Sequence, residues 1–419
     1  MNKLKLWKVR FLMILAVVGP GFITANVDND AGGIWTYSQT GAQFGYTLLW
    51  TMIPITIGLV VVQEMAARMG AVTGKGLSDL IREEFGFRTT FLLMAGLIVV
   101  NFGNVVTEFI GIKESLSLFG IPAWASVPVC AFIVWFMVVK GNYKVVEKIF
   151  LVASFVYFAY IIAGFMAHPA WKHALVETVT PPRLSEFRNE GYIYAIIGLV
   201  GTTIAPWMQF YLQSSVVEKG VTAKEYGASR LDVIFGCLFT DLVAWFIVVA
   251  CAATLYAHGM RDVKSASEAA QALQPLAGQY AYILFSFGLF NASLFAASIL
   301  PISTAYTVCE GLGFESGLDK KFEEAPFFYW LYTILIVVGA GVVLIPSIPS
   351  VRVSIMSQVV NGIVLPMVLI PMMILVNRHD LMGKYVNSRL FNIIAVLTTV
   401  IVILLSVFYG YGILMGKAG

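Results

Sequence analysis

Long apolar runs separated by short charged breaks dominate the chain. Most runs reach 20 residues or more, which is the length of a membrane-crossing helix, whereas the strands of a membrane barrel are shorter and alternate. Two loop segments, 75–86 and 266–276, have one apolar face, as interfacial helices do. The pattern predicts eleven spans, at 11–41 (broken), 46–72, 90–118, 121–140, 145–167, 192–217 (broken), 228–257, 278–311, 326–347, 352–376 and 390–414.

Composition supports a membrane protein. The chain is 59% hydrophobic and 12% charged, whereas soluble domains carry about 25% charged residues. Four cysteines stand singly in apolar runs, which favours small buried hydrophobes over metal ligands or disulfides. No phosphate loop or catalytic constellation occurs. We therefore expect no enzyme activity, no cofactor and no nucleic-acid partner.

Basic residues predict the orientation. Lys and Arg cluster before the first span and after every even-numbered span up to the tenth, and the opposite loops hold fewer. By the positive-inside rule the N-terminus is cytoplasmic and the C-terminus lies outside. We expect a monomer in the lipid bilayer, in a bacterial cytoplasmic (inner) membrane.

The first span is interrupted where a membrane helix should be continuous. The stretch 19–33 contains Pro20, Asp28, Asp30 and the pair Gly32–Gly33. A carboxylate at membrane depth is costly, so it faces a cavity, a partner or an ion. Backbone carbonyls freed by a helix break are tolerated only where they line a cavity or bind something. The stretch is a candidate cation site.

The sixth span is interrupted in the same way. Pro206 falls in the middle of it, where it removes a backbone donor. Two broken helices at matching places in two halves indicate a transporter built from inverted repeats, with substrate bound between the breaks. We predict a single transport domain over 1–419, with repeat halves at about 11–167 and 192–376.

Several motifs resemble those of the NRAMP divalent-metal transporters. They are Gly19-Pro-Gly-Phe22, Asp30-Ala-Gly-Gly33, Gly41-Ala-Gln-Phe-Gly-Tyr46, Thr73-Gly-Lys-Gly-Leu-Ser-Asp-Leu80, Thr107-Glu-Phe-Ile-Gly111, Gly198-Leu-Val-Gly-Thr-Thr-Ile-Ala-Pro206, Ser357-Gln-Val359 and Arg378-His-Asp-Leu-Met-Gly383. The resemblance runs in order along nearly the whole chain. It implies an all-α, LeuT-type fold of five plus five inverted-repeat helices with an eleventh helix, and a metal bound between the first and sixth spans.

The departures from the family pattern concern the metal ligands. Asp30 matches the family's aspartate, but its asparagine falls on Gly33 and its Met-Pro-His appears as Ala205-Pro206-Trp207. The later histidine of that span falls on Gln213. The pattern resembles the NRAMP-related magnesium transporters. Loss of a soft thioether ligand favours hard cations, and Mg²⁺ keeps several waters.

We therefore predict six metal-site residues. Asp30 is the anionic ligand, carbonyls near Gly33, Thr202 and Ala205 hold the ion or its waters, and Gln209 and Gln358 contact the hydration shell. For Gln209 an interhelical hydrogen bond fits equally well. Three further acids have structural interpretations: a vestibule or helix-end role for Asp28, a charge network of Glu108 with Lys113 and Glu114, and an interior hydrogen bond for Asp241.

The predicted function is import of Mg²⁺, with Mn²⁺ also carried, by alternating access. The four histidines fall in loops or at span ends, which predicts transport without proton coupling. One alternative is an ordinary proton-coupled Mn²⁺/Fe²⁺ importer. The other is a sodium-coupled amino-acid transporter of the same fold, although such a site has little use for an Asp at the substrate position.

Overall fold

A computed structural model describes residues 19–141, 157–274 and 281–414, together with the single residues 145, 148, 152 and 278. All regular structure within these ranges is helical. Nine helical segments among the described residues are long and apolar enough to cross a membrane, and one of them, Glu190–Glu218, is broken into two helices. The chain is therefore an integral membrane protein.

The described helices are numbered here in chain order. They are α1 (Pro20–Val27), α2 (Ala31–Phe44), α3 (Met52–Thr73), α4 (Leu77–Ser117), α5 (Ala123–Lys140), α6 (Phe158–Met166), α7 (Trp171–Val179), α8 (Glu190–Thr203), α9 (Pro206–Glu218), α10 (Tyr226–Cys251), α11 (Ala266–Ala270), α12 (Ala281–Leu312), α13 (Pro326–Val343), α14 (Ser350–Val376), α15 (His379–Met382) and α16 (Arg389–Leu414). A π-helical turn, Ala252–Tyr256, extends α10.

Most predicted spans agree with these helices to within a few residues. The exceptions are local. Residues 11–18 of the first span and much of 145–167 lie outside the described residues. The interfacial segment 75–86 is confirmed as a helical arm, because Gly86, with φ of 77°, separates it from the membrane-spanning part of α4. The helix α7, Trp171–Val179, was not predicted, because it falls between the predicted fifth and sixth spans.

The break in the first span lies elsewhere than predicted. Gly32 and Gly33 are helical and belong to the first turn of α2, and the non-helical residues are 28–30. The reason is that Asp30 is the N-cap of α2. Its backbone is extended, and its side chain accepts a hydrogen bond from the amide of Gly33, three residues further along the chain. The prediction that the glycine pair unwinds the helix was therefore wrong in position.

Helix α10 holds the broken first span in place. Asp232 on α10 accepts hydrogen bonds from the backbone amides of Gly19 at 2.7 Å, Gly21 at 2.7 Å and Phe22 at 3.2 Å. These are amides that the start of a helix leaves without partners, and a carboxylate also suits the positive end of the helix dipole. The start of α1 is thus fixed from a distant part of the chain.

Candidate metal site

Asp30 lies at the first break, between α1 and α2. Its Oδ1 accepts a hydrogen bond of 2.7 Å from the amide of Gly33. The residue is 5% exposed, and its second carboxylate oxygen is not used by the cap. A buried carboxylate at a helix break can bind a cation through the oxygen that does not cap the helix.

The second break separates α8 from α9. Ile204 and Ala205 leave the helical conformation, and Pro206 is the first residue of α9. Because Pro206 has no N–H, the carbonyl of Thr202 lacks the donor that a continuous helix would place four residues later. The break therefore supplies carbonyl oxygens and no charge.

The two breaks lie side by side. The hydroxyl of Tyr37 on α2 and that of Thr203 on α8 form a hydrogen bond of 2.9 Å. Helix α14 closes the third side, because a Cβ on Gly201 would overlap the backbone of Gln358 and Gly362. Thr202, beside Thr203, and Gln358 are thereby brought to the break that carries Asp30.

Gln358 faces the first break through its side chain. A Cβ on Gly32 would overlap the Gln358 carboxamide and would lie 3.2 Å from Oδ1 of Asp30, so only glycine fits there. Oε1 of Gln358 accepts a hydrogen bond of 2.8 Å from Nδ2 of Asn361. This bond turns the side-chain nitrogen of Gln358 toward Gly32. Asn361 in turn pairs reciprocally with Asn104, at 3.0 Å in both directions, which agrees with a packing role.

Gln209 lies against its own helix break. Its carboxamide is 2.8 Å from the carbonyl oxygen of Pro206 and 2.9 Å from that of Ala205, and with its nitrogen on that side it donates to both. The Ala205 carbonyl also accepts from the amide of Met208 at 3.1 Å. The hydrogen bonds of the described residues do not join Ala205 or Gln209 to Asp30, so their part in the site stays a prediction.

Glu108 is the site residue that sequence analysis missed. It is fully buried on α4, its Oε2 accepts 3.2 Å from the amide of Ala31, and its carboxyl contacts that of Asp30. The predicted charge network was wrong, because Lys113 lies beyond it, 4.0 Å from Glu114 and 3.3 Å from the hydroxyl of Ser350. An acid at membrane depth was the available signal.

Asp28 lies at a helix end, which is one of its two predicted roles, whereas Asp241 departs from its predicted role. Asp28 ends α1 with its backbone only, and its carboxylate makes no hydrogen bond among the described residues. Asp241 on α10 was expected to make an interior hydrogen bond, but both of its oxygens lack a hydrogen-bond partner there. Both acids are therefore buried without hydrogen-bond partners for their carboxylate oxygens among the described residues.

A cavity opens on one side of the molecule, about one helical turn from Gly33, Thr202 and Gln358, and none of the predicted site residues lines it. Its volume is about 1310 Å³, and it lies between α2, α8 and α14, with Thr36, Gly198 and Ile355 in its wall. Its charged lining residues include more bases than acids, namely Arg188, Arg261, Lys264 and Arg352 against Glu190 and Asp262. The attraction for a cation therefore comes from the buried acids below the cavity.

The other side of the site is closed by packed side chains. Ser214 on α9 donates to Glu310 on α12 at 2.5 Å, and Gln213 donates to the Lys75 carbonyl at 2.9 Å. Arg82 on the helical arm of α4 donates to the carbonyl of Glu310 at 2.7 Å. Contacts among α9, α12 and the helical arm of α4 thus close the molecule on this side.

The donor set consists of oxygen atoms. Among the described residues, no group of three or more His, Cys, Asp or Glu side chains is placed to hold a metal ion. A site with Asp30, Glu108 and backbone carbonyls leaves positions for water, as hard divalent cations prefer.

Comparison with known proteins agrees with this geometry. The family model described as "Natural resistance-associated macrophage protein-like" matches residues 21–411. The chain belongs to this family. A relative from Yersinia enterocolitica, named divalent metal cation transporter MntH, is 26% identical, with 93% of each chain covered. The MntH of Deinococcus radiodurans is also 26% identical, over 94% of this chain and 89% of its own.

Solved structures show the fold of this Nramp-family protein. A manganese transporter from Eremococcus coleocola superposes with a TM-score of 0.78 at 21% identity, covering 95% of this chain and 86% of the other. The transporter MhsT, solved with L-phenylalanine, gives 0.60 at 12% identity, covering 93% and 97%. The predicted all-α LeuT-type fold is confirmed.

Proposed function

We propose that this protein carries divalent metal cations across the membrane by alternating access, and that Mn²⁺ is a cargo. The observation that carries the proposal is the pair of adjacent helix breaks, with Asp30 in one and, in the other, the Thr202 carbonyl without its helical donor. A cavity on one side of the molecule and packed side chains on the other fit a carrier that exposes its site to each side in turn. The relatives named for divalent metal cations and manganese support the same cargo.

Mg²⁺ is a second candidate cargo, and one observation favours it. Ala205 stands at the second break without a sulfur atom, so the site offers oxygen ligands only. Oxygen ligands serve Mg²⁺ and Mn²⁺ alike. The names of the relatives favour manganese, so the magnesium proposal rests on donor chemistry alone.

Proton coupling is favoured by Glu108. The expectation of uncoupled transport depended on the lack of histidines in the spans. Glu108 lies in contact with Asp30 and can take a proton when a cation leaves or arrives. A proton-coupled importer of the ordinary kind therefore fits the site better than an uncoupled one, and a sodium-coupled amino-acid carrier fits less well because Asp30 occupies the substrate position.

The remaining parts of the proposal come from the sequence. They are a single transport domain with repeat halves near 11–167 and 192–376, a cytoplasmic N-terminus, an external C-terminus, and a monomer in a bacterial inner membrane. The excess of basic residues in alternate loops supports the orientation.

The test is uptake into proteoliposomes that hold a pH-sensitive dye, with wild type beside Asp30→Ala. We expect Mn²⁺ uptake with internal acidification in the wild type. The variant should lose uptake by about 100-fold or more, because mutation of a residue that only supports a metal ligand already lowers affinity or activity by about 10–100-fold. Measuring Mn²⁺ uptake in the presence of excess Mg²⁺ tests whether Mg²⁺ is also a cargo.

The outcomes separate the proposals. Equal Mn²⁺ uptake by wild type and Asp30→Ala contradicts the site. Asp30-dependent uptake without acidification contradicts coupling and restores the uncoupled mechanism. Failure of excess Mg²⁺ to slow Mn²⁺ uptake contradicts the magnesium cargo.

A further inference from the structure

Two buried acids next to the candidate site have no counter-charge. Asp28 follows α1 and is 2% exposed, and Asp241 on α10 is 4% exposed. All four carboxylate oxygens lack a hydrogen-bond partner among the described residues, and no described Lys or Arg forms an ion pair with either acid. Buried charges in proteins are paired or coordinate metals, because an isolated one is too costly.

The two acids belong to segments that are in contact, because Asn29, next to Asp28, donates hydrogen bonds to Thr240, next to Asp241. The carboxylates of Asp28 and Asp241 are not hydrogen-bonded to each other. The Thr56 hydroxyl beside Asp241 donates instead to the Met52 carbonyl at 2.7 Å. A hard cation takes carboxylate oxygens as ligands, whereas two neutral acids would leave their O–H groups without acceptors.

A third oxygen belongs to the same place. Asn29 is fully buried, and its Nδ2 donates to the hydroxyl of Thr240 at 2.6 Å and to the Thr240 carbonyl at 3.2 Å. These bonds hold the carboxamide of Asn29 against Thr240, the residue that precedes Asp241. Its Oδ1 has no partner among the described residues. An unsatisfied, fully buried amide oxygen beside two unsatisfied carboxylates is a donor set for a hard cation.

We propose that Asp28, Asp241 and Asn29 form a second cation-binding site, which takes a partly hydrated divalent cation such as Mn²⁺ next to the ion at Asp30. Two carboxylates, one amide oxygen and waters match the ligands of such cations. Asp28 is two residues from Asp30 and interacts with its charge, so an ion at either site weakens the hold on an ion at the other. Mutual repulsion of neighbouring ions favours release, as in multi-ion channels.

The site depends on the proposed function for its choice of cation, and binding stoichiometry tests it separately from transport. The full-length protein in detergent is titrated with Mn²⁺ by calorimetry, as wild type, Asp28→Asn, Asp241→Asn and Asp30→Asn. We expect two Mn²⁺ per chain in wild type and one in each variant. Low-temperature electron paramagnetic resonance should show coupling between two Mn²⁺ ions in wild type alone.

A matched control is available on the same helix. Asp232 is also buried on α10, but its carboxylate is occupied by backbone amides, so Asp232→Asn should lower the thermal stability and keep both ions. A single ion in wild type that requires Asp30 and is unaffected by Asp28→Asn and Asp241→Asn overturns the second site and leaves the proposed function intact. A single ion that requires Asp28 and Asp241 but not Asp30 supports this site and overturns the proposed one.

Discussion

The two helix breaks open the backbone in similar ways but differ in charge. The first, at 28–30, carries two acids, and Glu108 reaches it from α4. The second, between α8 and α9, has no charged side chain from 201 to 209, and α9 begins with Pro206 and no side-chain cap. In the first break the side chain of Asp30 caps the start of α2, and in the second the absence of an N–H at Pro206 interrupts the helix.

The difference indicates a division of labour. Carboxylates bind the cation by charge, so the first break determines whether an ion binds. Carbonyls are neutral, so the second break influences which ion binds, through the type and spacing of its donors. Three substitutions test this comparison.

The largest effect is expected at the charged break. Glu108→Gln keeps an oxygen for the Ala31 amide and removes a charge next to Asp30. We expect Mn²⁺ uptake to fall about 10–100-fold and the accompanying acidification to disappear. Initial rates in proteoliposomes with a pH dye measure both.

Glu114→Gln is the control for this variant. Glu114 lies on the same helix, near Lys113 and away from the break, and its variant should retain nearly the wild-type rate. If the two variants behave alike, Glu108 is a packing residue and its charge does not contribute to cation binding.

A selectivity change is expected at the neutral break. Ala205→Met adds a thioether at a position that is 2% exposed. Because sulfur prefers soft cations, Cd²⁺ should gain about tenfold over Mg²⁺ as a competitor of Mn²⁺ uptake, which corresponds to about 1.4 kcal/mol. Ala205→Leu adds similar volume without sulfur, and an equal shift in that variant would assign the effect to size.

The smallest effect is expected at Gln209. As a lock on the Ala205 and Pro206 carbonyls, it should contribute about 0.5–1.5 kcal/mol to stability, so Gln209→Leu should lower the unfolding temperature and leave Mn²⁺ affinity within about threefold. Gln213→Leu, which removes a hydrogen bond one turn further on, should destabilise similarly. A much larger loss of affinity in Gln209→Leu would instead make Gln209 part of the ion's hydration shell.

Sequence alone was sufficient to predict the membrane-length helices and to place Asp30 at a helix break. Apolar runs of membrane length predict spans because a helix satisfies its own backbone in lipid, whatever packs around it. Proline and aspartate inside such runs mark the breaks for the same local reason. The exact position of the first break was missed, because whether Asp30 or the glycine pair ends the helix depends on a cap whose geometry the sequence does not show.

Only the tertiary structure decided which acids meet. Glu108 and Ala31 are 77 residues apart, and Asn29 and Thr240 are 211 apart. No local pattern relates such positions, since their contact depends on how α4 and α10 pack against the broken first span. The sequence shows that carboxylates are present in the spans, and the fold determines that Glu108 reaches the break beside Asp30 while the segment of Asp28 and Asn29 contacts that of Thr240 and Asp241.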